Sequence, residues 1–229
     1  LPHQLLTSYV DQSARNQIGF ISGIEHINLH NVGFNFLLTV LPVTVDGDKD
    51  CIPVFRLKNH YGPEEENWIR GKKITVPKPN PYRYDLFEWK GLYFSNYYCF
   101  ELADIFHRAL FFSKVDAIFA PVWNQDTHYY NSIIDTATRD MHCYIILVNT
   151  SQFGHSKISR PRDFINKEKI AVKGGTEKEY PYTILVGDLK IKELREFQLL
   201  DFSAQKEKNK DKKSFKPTPP DFSTENVRK

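Results

Sequence analysis

The feature that most constrains this chain is an abrupt change of periodicity at Cys99. The stretch Leu92-Tyr93-Phe94-Ser95-Asn96-Tyr97-Tyr98-Cys99 is aromatic-rich and reads as a buried strand. Glu101 to Leu110 follows at once with helical spacing. A second apolar strand, Val115 to Pro121, comes next, then a helix near residues 126–140 and a strand from Cys143 to Asn149. Upstream, residues 3–16 read as a helix with Leu5, Leu6, Tyr9 and Val10 on one face. A short strand covers residues 17–24, and strands Val32–Leu41 and Ile52–Leu57 flank the turn-like Asp46-Gly47-Asp48. Leu86–Trp89 and Leu92–Cys99 form a hairpin-like pair around Lys90-Gly91. Alternating strands and helices, with some strands joined by hairpins, predict a mixed sheet with helices packed on it: an α/β layered fold.

The remainder is read more coarsely. Residues 59–83 carry Gly, Pro and charge and are expected to form a long functional loop. Short strands are expected at Lys157–Ile158, Ile170–Val172 and Tyr182–Val186, and Asp188 is expected to cap a last helix, Leu189–Leu200. The chain has 229 residues, 41% of them hydrophobic and 14% aromatic, enough for a domain with a sizeable core. No apolar run approaches the roughly 20 residues of a membrane span, so no membrane partner is expected. Three widely spaced cysteines, Cys51, Cys99 and Cys143, favour free thiols in a reducing compartment, hence a cytoplasmic protein. The eight histidines do not join them at zinc-ligand spacing, and neither a metal nor a cofactor is expected.

Charge is unevenly spread. Residues 205–229 hold eight Lys or Arg against four Asp or Glu, so the other 204 residues sum to −1 of the total +3. A nucleic-acid surface usually gives the folded part a basic excess, which is lacking here. From Gln205 on, the sequence is Lys-, Glu-, Pro- and Ser-rich without periodicity and reads as a disordered tail or linker.

Cys99 is the first candidate for chemistry. A thiol at a strand-to-helix junction faces the N–H groups of the helix start, which favour the thiolate. The bend can also lift the side chain out of the sheet, as a nucleophile elbow does for serine. The plainer reading is a small buried hydrophobe. A cysteine nucleophile needs a base or cation to ionise it and donors for the oxyanion it creates. Lys58 ends an apolar strand and opens a loop rich in carboxylates, Glu64-Glu65-Glu66; a solvated lysine is the alternative. His107 lies two helical turns beyond Cys99 and reads as a packing or capping residue, and His60 as a loop residue. The run Arg70-Gly71-Lys72-Lys73 reads as a solvated loop or a gate for a negatively charged substrate.

These residues together resemble the nitrilase, or carbon–nitrogen hydrolase, superfamily. Lys58 with His60, Pro63 and Glu66 is similar to that family's lysine motif, with a glutamate eight residues after the lysine. Tyr98-Cys99-Phe100-Glu101 resembles its nucleophile motif, and Asp116 to Asn124 resembles the strand and pocket segment after the nucleophile helix. Arg139, Tyr144–Val148, Asn149-Thr150-Ser151, Gly154-His155-Ser156 and Pro161 continue the match, and Gly19–Gly23 and Phe34-Asn35 extend it upstream.

The resemblance implies an αββα four-layer sandwich with mixed sheets, spanning residues 1–202 and followed by the tail at 203–229. It implies hydrolysis of an amide or nitrile through a thioester or thioimidate on Cys99. Lys58 and the Phe100 N–H would stabilise the oxyanion, Glu66 would orient the site or assist the deacylating water, and Trp123 and Asn124 would line the pocket. The helix after Cys99 would pair two copies of the chain. The family's general-base glutamate has no counterpart here; Glu25 sits on a later element. The chain is therefore expected to start inside the domain, lacking the first βαβ element, with the base in a parent protein. That parent could be a larger multidomain protein such as a nitrilase-containing reverse transcriptase, with nucleic acid as a partner only through another domain. The alternative is a catalytically incomplete recognition or oligomerisation module.

Overall fold

The computed structural model describes residues 2–162, 168–170 and 187–227. The chain divides into two compact units, residues 1–84 and 85–229.

The first unit opens with helix α1 (Pro2–Asn16), followed by strands β1 (Phe20–Leu29), β2 (Val32–Val45) and β3 (Asp48–Leu57). They form an antiparallel sheet in the order β1-β2-β3. Both hairpins turn through two residues with positive φ, His30-Asn31 and Asp46-Gly47. That backbone matches the twist of the flanking strands, which is why all three strands run longer than their apolar cores suggest. Central β2 buries Leu37, Leu38, Thr39 and Val40 in succession, as a strand covered on both faces does. Helix α1 packs on β2 and β3, with Tyr9 stacked on Phe20 and Ser13 donating to the Ile18 carbonyl.

The expected loop at 59–83 contains a helix, α2 (Pro63–Gly71). Its Pro-Glu-Glu-Glu opening reads as loop by composition, yet it is a helix-start signal. Pro63 lies in the first turn, where a missing N–H costs nothing, and Glu64, Glu65 and Glu66 complement the N-terminal end.

The second unit holds β4 (Leu86–Trp89), β5 (Leu92–Asn96), α3 (Cys99–Ala103), α4 (Ile105–Arg108), β6 (Ala117–Val122), α5 (Thr127–Asp140) and β7 (Tyr144–Asn149). After them come β8 (Lys157–Ser159), β9 (Glu168–Ile170), α6 (Ile191–Gln198) and α7 (Phe202–Lys208). The sheet runs β4-β5-β6-β7-β8-β9, parallel across β5-β6-β7 and antiparallel elsewhere. Parallel neighbours require crossovers, supplied by α3–α4 and by α5. Asp116 ties the start of this trio together. Its N–H donates to the Tyr93 carbonyl, its own carbonyl accepts from the Tyr144 N–H, and its carboxylate accepts from the Tyr93 N–H at 2.9 Å and from Arg195 Nε at 2.8 Å.

Two expectations need correction here. The helix after Cys99 is not continuous: Asp104 turns extended (φ −72°, ψ 116°), splitting it into α3 and α4, and the Asp104 carboxylate caps α4 through the His107 N–H. The last helix starts at Ile191 with Lys190 at its N-cap, while Asp188 pairs with the Lys190 ammonium. The expected strand segments at Ala171–Val172 and Tyr182–Val186 lie outside the described residues. Among the described residues, no helix is long and apolar enough to cross a membrane.

The stretch expected to be a disordered tail is structured and packs within the second unit. Phe215 is buried beside Phe197 and under Arg162. Buried Gln205 donates to the Leu200 carbonyl and accepts from both Thr218 N–H and Thr218 Oγ1. Buried His142 receives Gln198 Nε2 at its Nδ1 (3.1 Å) and, as the Nε2–H tautomer, donates to the Lys216 carbonyl (2.6 Å). Single buried residues such as Phe215 and Gln205 in a polar sequence have no period, so pattern reading misses them.

Burial disfavours the charged His142 imidazole and pushes its pKa down to about 4. In the unfolded chain the same ring takes a proton near its ordinary value of about 6.5. The stability gained by keeping it neutral is therefore whole above about pH 6.5 and is lost as pH falls towards 4. We expect the urea midpoint to drop across that window by the equivalent of about 3 kcal/mol. His142→Gln should flatten this part of the pH profile; an unchanged slope in the variant would refute the assignment.

Candidate functional site

Each unit holds a polar cluster of its own. In the first unit, β3 ends at Leu57 and delivers Lys58 into a buried position, 3% exposed. A buried ammonium needs a counter-charge. It finds one in Glu65, whose Oε2 lies 2.5 Å from Lys58 Nζ and also accepts the Gly62 N–H at 3.2 Å. Glu65 is the third helical residue of α2, where a carboxylate reaches back to the N-cap backbone. The lysine's partner is thus fixed by capping geometry. Glu65 Oε1 accepts from the Nδ2 of fully buried Asn35 on β2. His26 Nε2 stands 3.6 Å from the same oxygen, beyond hydrogen-bond range but within ion-pair reach when protonated. Burial pushes the Glu65 carboxyl up, but His26, Lys58 and the Gly62 N–H outweigh it, and its pKa lies below the ordinary value.

Glu66, the glutamate singled out from the motif spacing, faces the other way. It pairs with Arg70 one turn along α2, at 3.3 Å and partly exposed. In this unit the structure brings together Lys58, Glu65, Asn35 and His26, and leaves Glu66 outside the cluster.

In the second unit, β5 ends at Asn96, and the chain runs through buried Tyr97 and Tyr98 into α3, whose first residue is Cys99. Tyr98 caps the helix in extended conformation, and buried Glu101 accepts the Tyr98 N–H at 2.8 Å. Cys99 is half-buried and not in a disulfide. Because α3 is five residues long, it offers first-turn N–H groups beside Cys99 but no long helix dipole. The Phe100 N–H is one of these groups, while the Phe100 ring is exposed.

Strands β5, β6 and β7 run parallel, with Asn96 paired to Phe119 and Val122 to Asn149. Their carboxyl ends therefore share one edge, the usual place for a ligand crevice in such sheets. Asn124, just past β6, is locked to Asn149 by two bonds: its N–H donates to Asn149 Oδ1 at 3.1 Å, and its carbonyl accepts from Asn149 Nδ2 at 2.9 Å. Trp123 is exposed, with its Nε1 donating to Gln152 Oε1 and its ring against Phe153.

Sequence reading missed Tyr130, on the first turn of α5. It is 4% exposed, and its hydroxyl donates to the Cys99 carbonyl at 2.5 Å. Burial, with Cys99 next to it, pushes the phenol well above its ordinary pKa against the opposing Asn124 side chain. The group stays protonated and remains a donor. Tyr130 shares the buried face of α5 with Ile133, Ile134 and Ala137, but no local pattern could name its acceptor.

We expect Glu65→Gln to destabilise the fold by about 2–4 kcal/mol, because it strands a buried ammonium. Glu66→Gln should change stability by less than about 0.5 kcal/mol. Equilibrium urea unfolding of the two variants separates the assignments, and the reverse order would restore Glu66 as the partner.

Neither a protein-family model nor a curated protein sequence matches the chain. Solved structures do. XC1258 from Xanthomonas campestris, a CN-hydrolase superfamily protein with an arsenic adduct in its active site, superposes with a TM-score of 0.54 at 13% identity, covering 80% of this chain and 76% of that one. An amidase from Nesterenkonia AN1, of the nitrilase superfamily, gives a TM-score of 0.54 at 14% identity over 75% and 63% of the two chains. Saccharomyces cerevisiae Nit3, of branch 10 of the same superfamily, gives 0.56 at 13% identity over 75% and 62%. The chain thus spans less than two thirds of the amidase and of Nit3. At this level of identity the likeness establishes architecture, and the mixed α/β chain has the nitrilase-superfamily fold.

Proposed function

We propose that the chain carries the nucleophile of an amide- or nitrile-cleaving reaction, with Cys99 as that nucleophile. The observation that carries the reading is the position of Cys99 at the turn out of β5, on the carboxyl edge of parallel strands in a nitrilase fold. The Nesterenkonia amidase offers a parallel, since one of its structures shows the acetamide moiety of fluoroacetamide added covalently at the active-site cysteine.

For an amide, the Cys99 sulfur attacks the carbonyl carbon, a C–S bond forms, and the carbonyl electron pair moves onto oxygen. Collapse breaks the C–N bond, the amine leaves with the thiol proton, and a thioester remains. Water cleaves it to a carboxylic acid and regenerates the thiol. The Phe100 N–H is the proposed backbone donor to the oxyanion, and Lys58, singled out by its likeness to the lysine motif, the proposed cationic one. Asn124, locked by Asn149, is the proposed contact for substrate polar groups. With Glu66 turned to Arg70, the role the motif gave it falls to Glu65.

The test is intact-mass and peptide-mapping analysis after exposure to short amides and to p-nitrophenyl acetate. An acyl adduct should form on Cys99 and vanish in Cys99→Ala, and Lys58→Met should slow its formation by about a hundredfold. A Cys99 that stays unmodified would overturn the reading.

A second reading, a self-associating module, rests on one observation. Ile105, Phe106 and Leu110, close in sequence around α4, are 64%, 82% and 47% exposed, three large apolar side chains open to solvent. We expect sedimentation to find an oligomer that Phe106→Asp dissociates; a monomeric wild type would remove this reading.

A further inference from the structure

The bond from Tyr130 to the Cys99 carbonyl bears on more than the cysteine. The Cys99 C=O and the Phe100 N–H belong to a single peptide unit, which is planar and trans, so the two bonds point in opposite directions and turn together. Whatever holds the oxygen aims the N–H. We propose that Tyr130 sets the direction of the Phe100 N–H, the oxyanion donor of the acylation proposed above, by anchoring the carbonyl end of the Cys99–Phe100 peptide. This inference rests on the hydrolase reading and adds a positioning residue to it.

Two features make such an anchor necessary. Helix α3 has five residues and ends where Asp104 turns extended, so its own hydrogen bonds restrain its first peptide weakly. The oxyanion must also be met by a donor already aimed at the place where charge develops, because reorientation during the reaction raises the barrier.

The anchor is rigid at its other end. Tyr130 is buried at the start of α5, between the Asp126 N-cap and the buried Ile133 and Ile134. Asp126 accepts the Tyr129 N–H and itself donates to Asn124 Oδ1, and Asn124 is bonded to Asn149. Strands β6 and β7 thereby fix the hydroxyl that fixes the peptide. A donor on the carbonyl oxygen also polarises the amide and strengthens its N–H.

The experiment compares Tyr130→Phe with wild type in two reactions at Cys99, followed by peptide mapping. Acylation by p-nitrophenyl acetate passes through an oxyanion. Alkylation by iodoacetamide displaces iodide from a saturated carbon and creates none. The variant should lose at least about tenfold in acylation rate and keep its alkylation rate within about twofold across the pH profile. Acylation that is unchanged, or that falls in parallel with alkylation, would overturn the inference while leaving Cys99 as nucleophile. A wild-type Cys99 that takes iodoacetamide but no acetyl group would overturn the hydrolase reading, and this inference with it. A cooperative thermal transition in the variant separates these outcomes from misfolding.

Discussion

The second unit depends on one buried carboxylate. Asp116 stands at the start of β6, where its backbone bonds both neighbours, Tyr93 of β5 and Tyr144 of β7, while its side chain takes the Tyr93 N–H and the Arg195 guanidinium. Arg195 belongs to α6, and its Nη2 also donates to the Gly91 carbonyl in the β4–β5 turn. Planar two-point pairing of this kind fixes direction as well as distance. The register of three parallel strands is thus set at their amino ends, and register at one end determines alignment at the other. Cys99 and Asn124 come to one edge because Asp116 holds the opposite edge in place.

The first unit solves a comparable problem with the signs reversed. There the buried group is a cation, and the carboxylate is brought to it by a helix cap. Glu65 serves four partners at once: Lys58, Asn35, the Gly62 amide and, when charged, His26. Such a pair gains little net stability over an apolar substitute, because two charges leave water to form it. Its consequence is a lysine held in one place, which a solvated lysine on a flexible stem is not. The cation–π contact of Lys58 with the Tyr61 ring, at 5.3 Å, adds to that restraint.

What the sequence made legible was whatever has a period. The alternation of strands with helices, the turn at Asp46-Gly47 and the junction at Cys99 each leave a local signature, and the α/β class and the place of Cys99 at a strand-to-helix turn followed from them. Long-range partnerships leave none. A motif spacing of eight residues pointed to Glu66, yet the choice between Glu65 and Glu66 is made by the start of α2, where a change of one residue rotates a side chain by about 100°. Tyr130 reads as an ordinary core tyrosine until its hydroxyl is seen at the Cys99 carbonyl. The segment after Gln205 is polar and aperiodic, and it is held to the unit by scattered single residues such as Phe215, Phe222 and Gln205, each matched to a ring or an acceptor distant in sequence.

Restraint of this kind is concentrated where the secondary structure is weakest. A long helix after Cys99 would have oriented the Cys99–Phe100 peptide through its own ladder of hydrogen bonds and supplied a dipole as well. The break at Asp104 removes most of both, leaving one turn of helix between two extended segments. What replaces the ladder is a side-chain chain: Asn149 to Asn124, Asn124 to Asp126 at the cap of α5, and Tyr130 from the first turn of that helix to the Cys99 carbonyl. Each link originates on or beside a strand or helix whose place is fixed by the sheet. A short helix can therefore present a well-aimed N–H, because its direction is set by elements remote in sequence rather than by the helix itself.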